Sequence, residues 1–304
     1  MARLSEKDRS EAGAPAGALA RGTPTRVRAA VLLAGALLLG PPGVFAQSPL
    51  AAPPAEEILK KAMDRAKWSD EQKFEARYSY TQRSTVDELD SKENVKRHEE
   101  RVHFIFPIAG ERYGRLVEKD GKALTDKEAR LEREREQKFR QRAAERGRKK
   151  EPEKRENDVK FDQELVSRYQ WTLTGRETVN GRPAFVLSFQ PQSHDLPVKR
   201  KLDRLLIKVA GRLWVDEQEY EVARVDVHLA ENVAAWGGVL ASVRKFFLRY
   251  EQVRLDEGAW LLSSLDGYVD GRILIKSLHL KVKEQNRDFR KTVAGAGDPR
   301  PAKP

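Results

Sequence analysis

The chain has 304 residues, a formal net charge of +11, 35% charged residues and no cysteine. This length accommodates one large domain or two small ones, with a core large enough to need no covalent staple. The absence of cysteine excludes disulfides, a lipid-modified N-terminal cysteine, thiol catalysis and cysteine-based zinc sites.

The N-terminal segment has the pattern of a secretory signal peptide. Two arginines precede an apolar run at 29–39, and small residues follow up to Ala46. This order predicts a signal peptide over residues 1–46, cleaved after about Ala46, and hence export to a periplasmic space. An uncleaved anchor is the alternative, but a spanning helix needs about 20 apolar residues and Pro41-Pro42 ends this run earlier.

An amphipathic helix is predicted after a Pro- and Ala-rich linker at 47–55. Glu56 and Glu57 occupy its first turn, where the helix dipole favours negative charge. Its apolar residues recur at helical spacing and comprise Ile58, Leu59, Ala62, Met63 and Ala66. A helix with one apolar stripe packs against another element.

Strand-like alternation begins beyond this helix. Apolar and polar residues alternate at 74–81 and at 101–106, and Asp120-Gly121 marks a tight turn. Strands that are joined by tight turns must run antiparallel to their neighbours.

Residues 124–160 form an insertion of different character, with 14 basic and 10 acidic residues. A helix from about Asp126 to Ala144 has too thin an apolar stripe to pack, so it is predicted to project into solvent or fray. Mixed charge is typical of a solvated helix. The functional alternative is contact of residues 126–158 with an anionic membrane surface or an acidic partner. Nucleic acid is not expected as a partner, because an exported protein meets little of it.

The segment 172–191 predicts a β-hairpin around Asn180-Gly181. A two-residue turn there would mix apolar and polar side chains on both faces. A three-residue loop that starts at Val179, with Gly181 in the left-handed region, leaves one face aromatic and aliphatic throughout. This register pairs Trp171 with Phe189, Leu173 with Leu187 and Gly175 with Phe185.

The rest of the chain predicts a short helix and further strands. A short amphipathic helix that ends at Gly211 is predicted from the spacing of Leu202, Leu205, Leu206 and Val209. The strands that follow are joined by turns at 217–219, 256–258 and Asp270-Gly271, and residues 290–304 form a disordered tail.

These elements predict an α+β fold over residues 56–289. It consists of a curved antiparallel sheet, or half-open β-barrel, with the N-terminal helix and the inserted helix on its concave side and the charged helix projecting. About nine or ten strands linked mainly by tight turns exclude a parallel sheet.

Candidate catalytic and metal motifs do not converge. His98 and His103 resemble a zinc-protease pair, but their spacing places them on opposite faces of a strand. Ser193-His194-Asp195 are adjacent, so their functional atoms cannot form a catalytic relay. We therefore predict no catalytic residue, no metal and no cofactor, and a hydrolase ranks third among the functions considered.

The apolar face of the sheet is the candidate binding surface. Two amphipathic helices are too few to cover it with a thick core, so it either packs dry or leaves a cavity for lipid or acyl chains. The candidate cavity residues are Trp171, Leu173, Phe185, Leu187, Phe189, Leu202, Leu205 and Leu206.

The arrangement resembles the outer-membrane lipoprotein carrier and sorting family, with its LolA/LolB-like fold. The resemblance is carried by the helix at 55–68 and by the strand pairs at 172–191 and 211–227, where Trp214-Val215-Asp216 look most like the family. It implies a non-enzymatic exported protein that shields a lipid or an acylated protein in a half-open barrel. The alternative is an envelope interaction protein that uses the charged arm.

Overall fold

The computed structural model describes residues 52–149, 159–192, 203–231, 233–235, 241–273 and 276–292. Within them the chain forms one sheet of twelve strands and four α-helices. The helices are α1 (Ala55–Gln72), α2 (Asp126–Lys149), α3 (Gln163–Val166) and α4 (Asp203–Leu206). The strands are β1 (Tyr78–Leu89), β2 (Val95–Ile108), β3 (Glu111–Lys119), β4 (Lys122–Ala123), β5 (Tyr169–Val179), β6 (Arg182–Pro191), β7 (Val209–Asp216), β8 (Val222–Leu229), β9 (Val233–Ala235), β10 (Ala241–Arg254), β11 (Trp260–Ile273) and β12 (Lys276–Lys291). No helix in this described part of the chain is both long and apolar enough to cross a membrane.

The sheet is open and antiparallel throughout. Its strands follow the order β4-β3-β2-β1-β12-β11-β10-β8-β7-β6-β5, and β9 pairs with β10 beside this path. The predicted turns at Asp120-Gly121, 217–219 and 256–258 join successive strands. The prediction of an α+β fold with a curved, unclosed antiparallel sheet is therefore confirmed.

Helix α1 lies on one face of the sheet, called here the inner face; the opposite face is the outer face. Ile58, Leu59 and Ala62 are buried against a cluster that includes Leu187 and Leu213, as their helical spacing predicts. Full burial of an aliphatic side chain such as leucine contributes about 1.5 to 3 kcal/mol. The inner face therefore holds the largest apolar cluster, and α1 covers one part of this face.

The β5–β6 hairpin has the predicted register away from its turn. Trp171 pairs with Phe189, and Leu173 pairs with Leu187. These four side chains share the inner face, as the alternation of apolar residues predicts.

Near its turn, the hairpin differs from the prediction of a three-residue loop. Asn180 and Gly181 alone form the turn, with φ of 49° and 77°. A bulge at Gly175 absorbs the extra residue, so Gly175 pairs with Val186 and not with Phe185. The bulge restores the register without moving the apolar set to the other face.

Helix α2 lies against the outer face of β2 and β3, so the prediction that it projects into solvent is wrong. The rings of Phe139 and Tyr113 are 4.9 Å apart, and Ala143 is buried. Arg115 donates two hydrogen bonds to Glu136, at 2.8 and 3.1 Å. The prediction failed because much of the docking uses charged side chains, which pair with strand residues distant in sequence.

The helix predicted from Leu202 to Gly211 is a single turn, α4. Leu202 lies outside the described residues, and Val209 already belongs to β7, where it pairs with Leu229. Gly211 is a strand residue and not a helix end, because a Cβ there would lie 2.0 Å from the carbonyl oxygen of Asp226. The close approach of β8 explains this glycine.

The turn predicted at Asp270-Gly271 is also absent, because both residues lie inside β11. The Asp270 carboxylate accepts a hydrogen bond from Arg244 at 2.7 Å and lies 3.2 Å from Nδ1 of His279. A Cβ at Gly271 would meet the carbonyl oxygen of Ser242 at 2.3 Å. Close strand packing, and not a turn, therefore requires glycine here.

The outer face carries alternating charges across neighbouring strands. The side chains that stand opposite one another from β7 to β12 are Arg212, Asp226, Arg249, Asp266 and Lys283. Opposite charges directly across strands contribute about 0.2 to 1 kcal/mol per pair. This part of the outer face is thus adapted to water, in contrast to the apolar inner face.

Asp226 makes the closest ion pairs of this row. Arg224 and Arg249 each donate two hydrogen bonds to its carboxylate, at 2.7 to 3.0 Å. Burial raises the pKa of Asp226, but the hydrogen bonds from the two arginines outweigh burial and lower this pKa to about 2.

The Asp226 carboxyl should make stability fall at acid pH. Its pKa drops from 3.8 to about 2 on folding, so its contribution is complete above pH 3.8 and is lost as the pH falls through 2. We expect Asp226→Asn to lower the free energy of unfolding at pH 7 by about 2 kcal/mol. The difference between wild type and variant should shrink from pH 4 to pH 2 in denaturant titrations.

The control for this prediction is Asp266→Asn, which removes a carboxylate of the same row but leaves both arginine pairs of Asp226 intact. A difference between wild type and Asp226→Asn that does not change with pH would contradict the prediction.

Candidate ligand-binding cavity

A cavity of about 1890 Å³ lies between α1, the inner face and the segments that precede β5 and β7. Pockets for small molecules typically measure about 300 to 1,000 Å³, so this cavity accommodates a larger ligand. Six strands supply its apolar wall, through Trp171, Phe189, Val209, Leu213, Val225, Val227, Phe246, Leu248 and Leu261.

Half of the residues predicted for an apolar cavity line this one, namely Trp171, Phe189, Leu205 and Leu206. Phe185 and Leu187 are 3% and 0% exposed and lie beneath α1, and Leu173 packs against the same cluster. Leu202 lies outside the described residues. The structure therefore divides the predicted set between a helix-covered core and the cavity wall.

Strand β10 supplies a part of the wall that the sequence did not single out. Phe246, Leu248 and Tyr250 alternate along the strand, and all three line the cavity. The alternation is only partly visible in the sequence, because Arg249 separates Leu248 from Tyr250 but the apolar Phe247 separates Phe246 from Leu248. The pairing of β10 with β8 is needed to show that these three side chains lie on the inner face.

Charged side chains of both signs surround the apolar wall. They come from α1 and the residue after it, from the start of β3 and from the C-terminal half of α2, and they comprise Lys60, Asp64, Lys67, Asp70, Lys73, Glu111, Arg112, Arg142 and Glu145. Most are exposed, so they form a hydrated rim. A ligand with an apolar chain and a polar head matches this division.

A polar cluster fixes the C-terminal half of α1 over the sheet. Arg65 donates to a carboxylate oxygen of Glu221 at 2.7 Å and to the carbonyl oxygen of Gly258 at 2.5 Å. Ser69 donates to the same oxygen of Glu221, also at 2.7 Å. These bonds join α1 to the β7–β8 and β10–β11 connections, so the helix borders the cavity at a defined position.

Hydrogen bonds orient the aromatic side chains of the wall. Trp171 Nε1 donates to the carbonyl oxygen of Val166 at 2.9 Å, and the Tyr169 hydroxyl donates to that of Leu206 at 2.6 Å. The ring of Phe189 lies 5.0 and 5.1 Å from the rings of Tyr169 and Trp171. Burial raises the pKa of Tyr169 to about 12, so its hydroxyl stays protonated and donates at neutral pH.

Histidine and carboxylate side chains are the groups of this cysteine-free chain that could hold a metal ion. Within the residues that the structure describes, no three or more of them come together as metal ligands would. His98 and His103 both lie in β2, where His98 Nδ1 is 2.5 Å from a carboxylate oxygen of Asp87. Ser193-His194-Asp195 lies outside the described residues.

The fold and the cavity together define a class of protein: an α+β chain whose open antiparallel sheet and overlying helix border a large apolar cavity with a charged rim.

No protein-family model matches the chain, and no curated protein matches it. Among solved structures, it is similar to a domain described as an outer membrane lipoprotein-sorting protein from Vibrio parahaemolyticus. The identity is 12% and the TM-score 0.32, with 80% of this chain and 95% of that chain covered.

Two further solved structures are similar. A LolA superfamily protein from Nitrosomonas europaea has 11% identity and a TM-score of 0.29, with 80% of this chain and 95% of that chain covered. The MucA/MucB complex of Pseudomonas aeruginosa contains a chain with 12% identity and a TM-score of 0.23, with 76% of this chain and 99% of that chain covered. The descriptions of the Vibrio parahaemolyticus and Nitrosomonas europaea structures name the family that the sequence resembles.

Proposed function

We propose that this protein is an exported, non-enzymatic binding protein that shields a lipid, or the acyl chains of an acylated protein. The observation that carries the proposal is the cavity of about 1890 Å³ with its apolar wall on the inner face. The signal-peptide pattern of residues 1–46 supports export to the periplasm.

Burial of methylene groups supplies the binding energy in this mechanism. Each CH₂ removed from water contributes about 0.8 kcal/mol, so a long chain binds without any charged contact. The charged rim lets a polar head group remain hydrated while the chain lies along the wall. Release of the ligand then requires only that its acyl chain enter another apolar environment.

The proposal predicts that the purified protein binds an apolar fluorescent dye and that a long-chain lipid displaces it. Native mass spectrometry should show lipid that copurifies with the protein. A protein that binds neither dye nor lipid would disprove this function, whatever its fold.

A second candidate function is docking on an anionic membrane through α2, and the distribution of charge across this helix favours it. Glu132 and Glu136 are partly buried, and they accept hydrogen bonds from Tyr113 and Arg115 on β3. Acidic charge is thereby turned toward the sheet.

Three bases of α2 face solvent, whereas Arg135 donates to the carbonyl oxygen of Gly114 on β3. Lys127, Arg133 and Lys138 are exposed, and no ion pair holds them among the described residues. Because α2 also contributes Arg142 and Glu145 to the rim, docking through this helix would place the cavity near the bilayer surface.

This second function predicts that the protein binds phosphatidylglycerol vesicles more strongly than phosphatidylcholine vesicles, and less as salt is added. The triple substitution Lys127→Gln, Arg133→Gln and Lys138→Gln should weaken this binding more than tenfold, since each basic residue near an anionic surface contributes about 1 kcal/mol. Vesicle cosedimentation measures the change, and dye binding should stay unaltered.

The matched control for the α2 variant removes three exposed bases from β12 by Lys281→Gln, Lys283→Gln and Arg287→Gln. An equal loss in both variants would show that net charge, and not α2, determines vesicle binding.

A further inference from the structure

Two polar side chains on β10 line the cavity, and each has one polar atom without a hydrogen-bond partner in the described part of the protein. Tyr250 and Gln252 both line the cavity. Among the described residues, neither the Tyr250 hydroxyl nor Gln252 Oε1 makes a hydrogen bond with the protein. Val225 and Leu265 flank Tyr250 in the sheet, and the charged side chains of Glu75, Glu221 and Arg112 lie near enough to affect its pKa.

Other polar side chains of the cavity are paired within the protein. Tyr169 donates to Leu206, Trp171 donates to Val166, and Trp260 Nε1 donates to Glu219 at 2.8 Å. The Tyr250 hydroxyl and Gln252 Oε1 are not among the fully buried atoms that lack a hydrogen-bond partner, so water reaches them in the free protein and a ligand can replace that water. A few such groups in an apolar pocket commonly set ligand orientation and specificity.

The Gln252 amide has only one possible orientation. Its Nε2 lies 2.7 Å from the carbonyl oxygen of Val222, which can only accept, so the nitrogen must point there. Gln252 Oε1 is therefore left as an acceptor. Tyr250 supplies a donor, because burial raises the pKa of its hydroxyl and keeps it protonated.

We propose that Tyr250 and Gln252 recognise the linkage of an acyl chain, and that the cavity prefers chains joined through an amide. The carbonyl oxygen of the ligand accepts a hydrogen bond from the Tyr250 hydroxyl, and the amide N–H donates to Gln252 Oε1. An ester provides only the first bond, and an ether lacks the carbonyl acceptor and the N–H donor. This inference rests on the proposed lipid-binding function and adds the chemistry of the ligand to it.

The test uses three probes with the same long alkyl chain and the same head group, joined by an amide, an ester or an ether. Dissociation constants come from displacement of an apolar dye. For wild type we expect affinity to fall from amide to ester to ether by about fivefold per lost hydrogen bond. Tyr250→Phe should weaken amide and ester binding about fivefold and ether binding less, because an ether oxygen is a poorer acceptor than a carbonyl oxygen.

The matched control is Tyr169→Phe, which also removes a hydroxyl beside the cavity, but one that already donates to Leu206. It should leave the ratio of ester to ether affinity unchanged. Ether binding by each variant also reports whether the cavity is still folded.

The outcomes separate this inference from the function on which it rests. Equal affinity of wild type for the three probes, or an equal effect of both Tyr→Phe substitutions on the ester-to-ether ratio, would overturn the role of Tyr250. If wild type binds no probe at all, the proposed function itself fails. Preference for ester and amide over ether, without preference between ester and amide, would remove Gln252 from the site.

Discussion

Leu187→Ala should lower the free energy of unfolding by about 3 to 5 kcal/mol. The Leu187 side chain is 0% exposed and pairs with Leu173 on β5 and Leu213 on β7. Ile58 and Leu59 of α1 belong to the same cluster. The substitution removes three carbon atoms from the centre of the packing between α1 and the sheet. The surrounding side chains are held by strand pairing and by α1, so they move little and a void remains.

Urea or guanidinium unfolding, followed by circular dichroism, measures this loss. Leu131→Ala provides the control, because Leu131 on α2 is 55% exposed and its truncation should change stability by less than about 0.5 kcal/mol. A loss below about 1 kcal/mol for Leu187→Ala would mean that α1 is not packed on the sheet as described.

The same variant distinguishes a core residue from a ligand contact. The sequence predicts Leu187 as a cavity residue, whereas the structure places it beneath α1. Folded Leu187→Ala protein should therefore bind an apolar dye with nearly wild-type affinity. A large change in affinity at unchanged structure would favour the sequence-based assignment.

The parts of the fold that the sequence predicts correctly depend on local signals. The apolar stripe of α1 can be predicted from the helical period alone. The turns at Asp120-Gly121 and Asn180-Gly181 can be predicted because these residue types tolerate the left-handed conformation that the turns require. Tight turns then impose antiparallel pairing, and with it the class of fold.

The errors arise where distant parts of the chain meet. Gly211 and Gly271 are glycines because a neighbouring strand approaches their Cα atoms, and the same residue type also ends helices and forms turns. The docking of α2 depends on Arg115, which lies 21 residues before its partner Glu136. Local apolar periodicity contains no information about either contact.

The candidate site shows the same limit. The aromatic pair Trp171 and Phe189 follows from strand alternation and lines the cavity. The division between residues beneath α1 and residues of the open wall depends on where α1 lies along the strands. Strand alternation predicts on which face of the sheet a side chain lies, but it does not predict which part of that face a helix covers.

Leu248→Lys should weaken ligand binding at least a hundredfold, or by about 2.7 kcal/mol. Leu248 lines the cavity from β10 and stands opposite Val227 and Gly267. An ammonium group here must lose water when an alkyl chain lies along the wall, and the apolar neighbours offer it no charged partner. Without ligand the group can stay hydrated in the cavity, so the fold should tolerate it far better than the complex does.

Dye titration and lipid displacement measure the loss, with circular dichroism as a check on folding. Val95→Lys is the matched control, because it adds the same charge at a side chain that is 57% exposed and absent from the cavity wall. It should bind dye like wild type. Leu248→Met, which keeps the wall apolar and nearly the same volume, should also retain binding. Equal binding by Leu248→Lys and Val95→Lys would place the ligand away from the inner face and remove the structural basis of the proposed function.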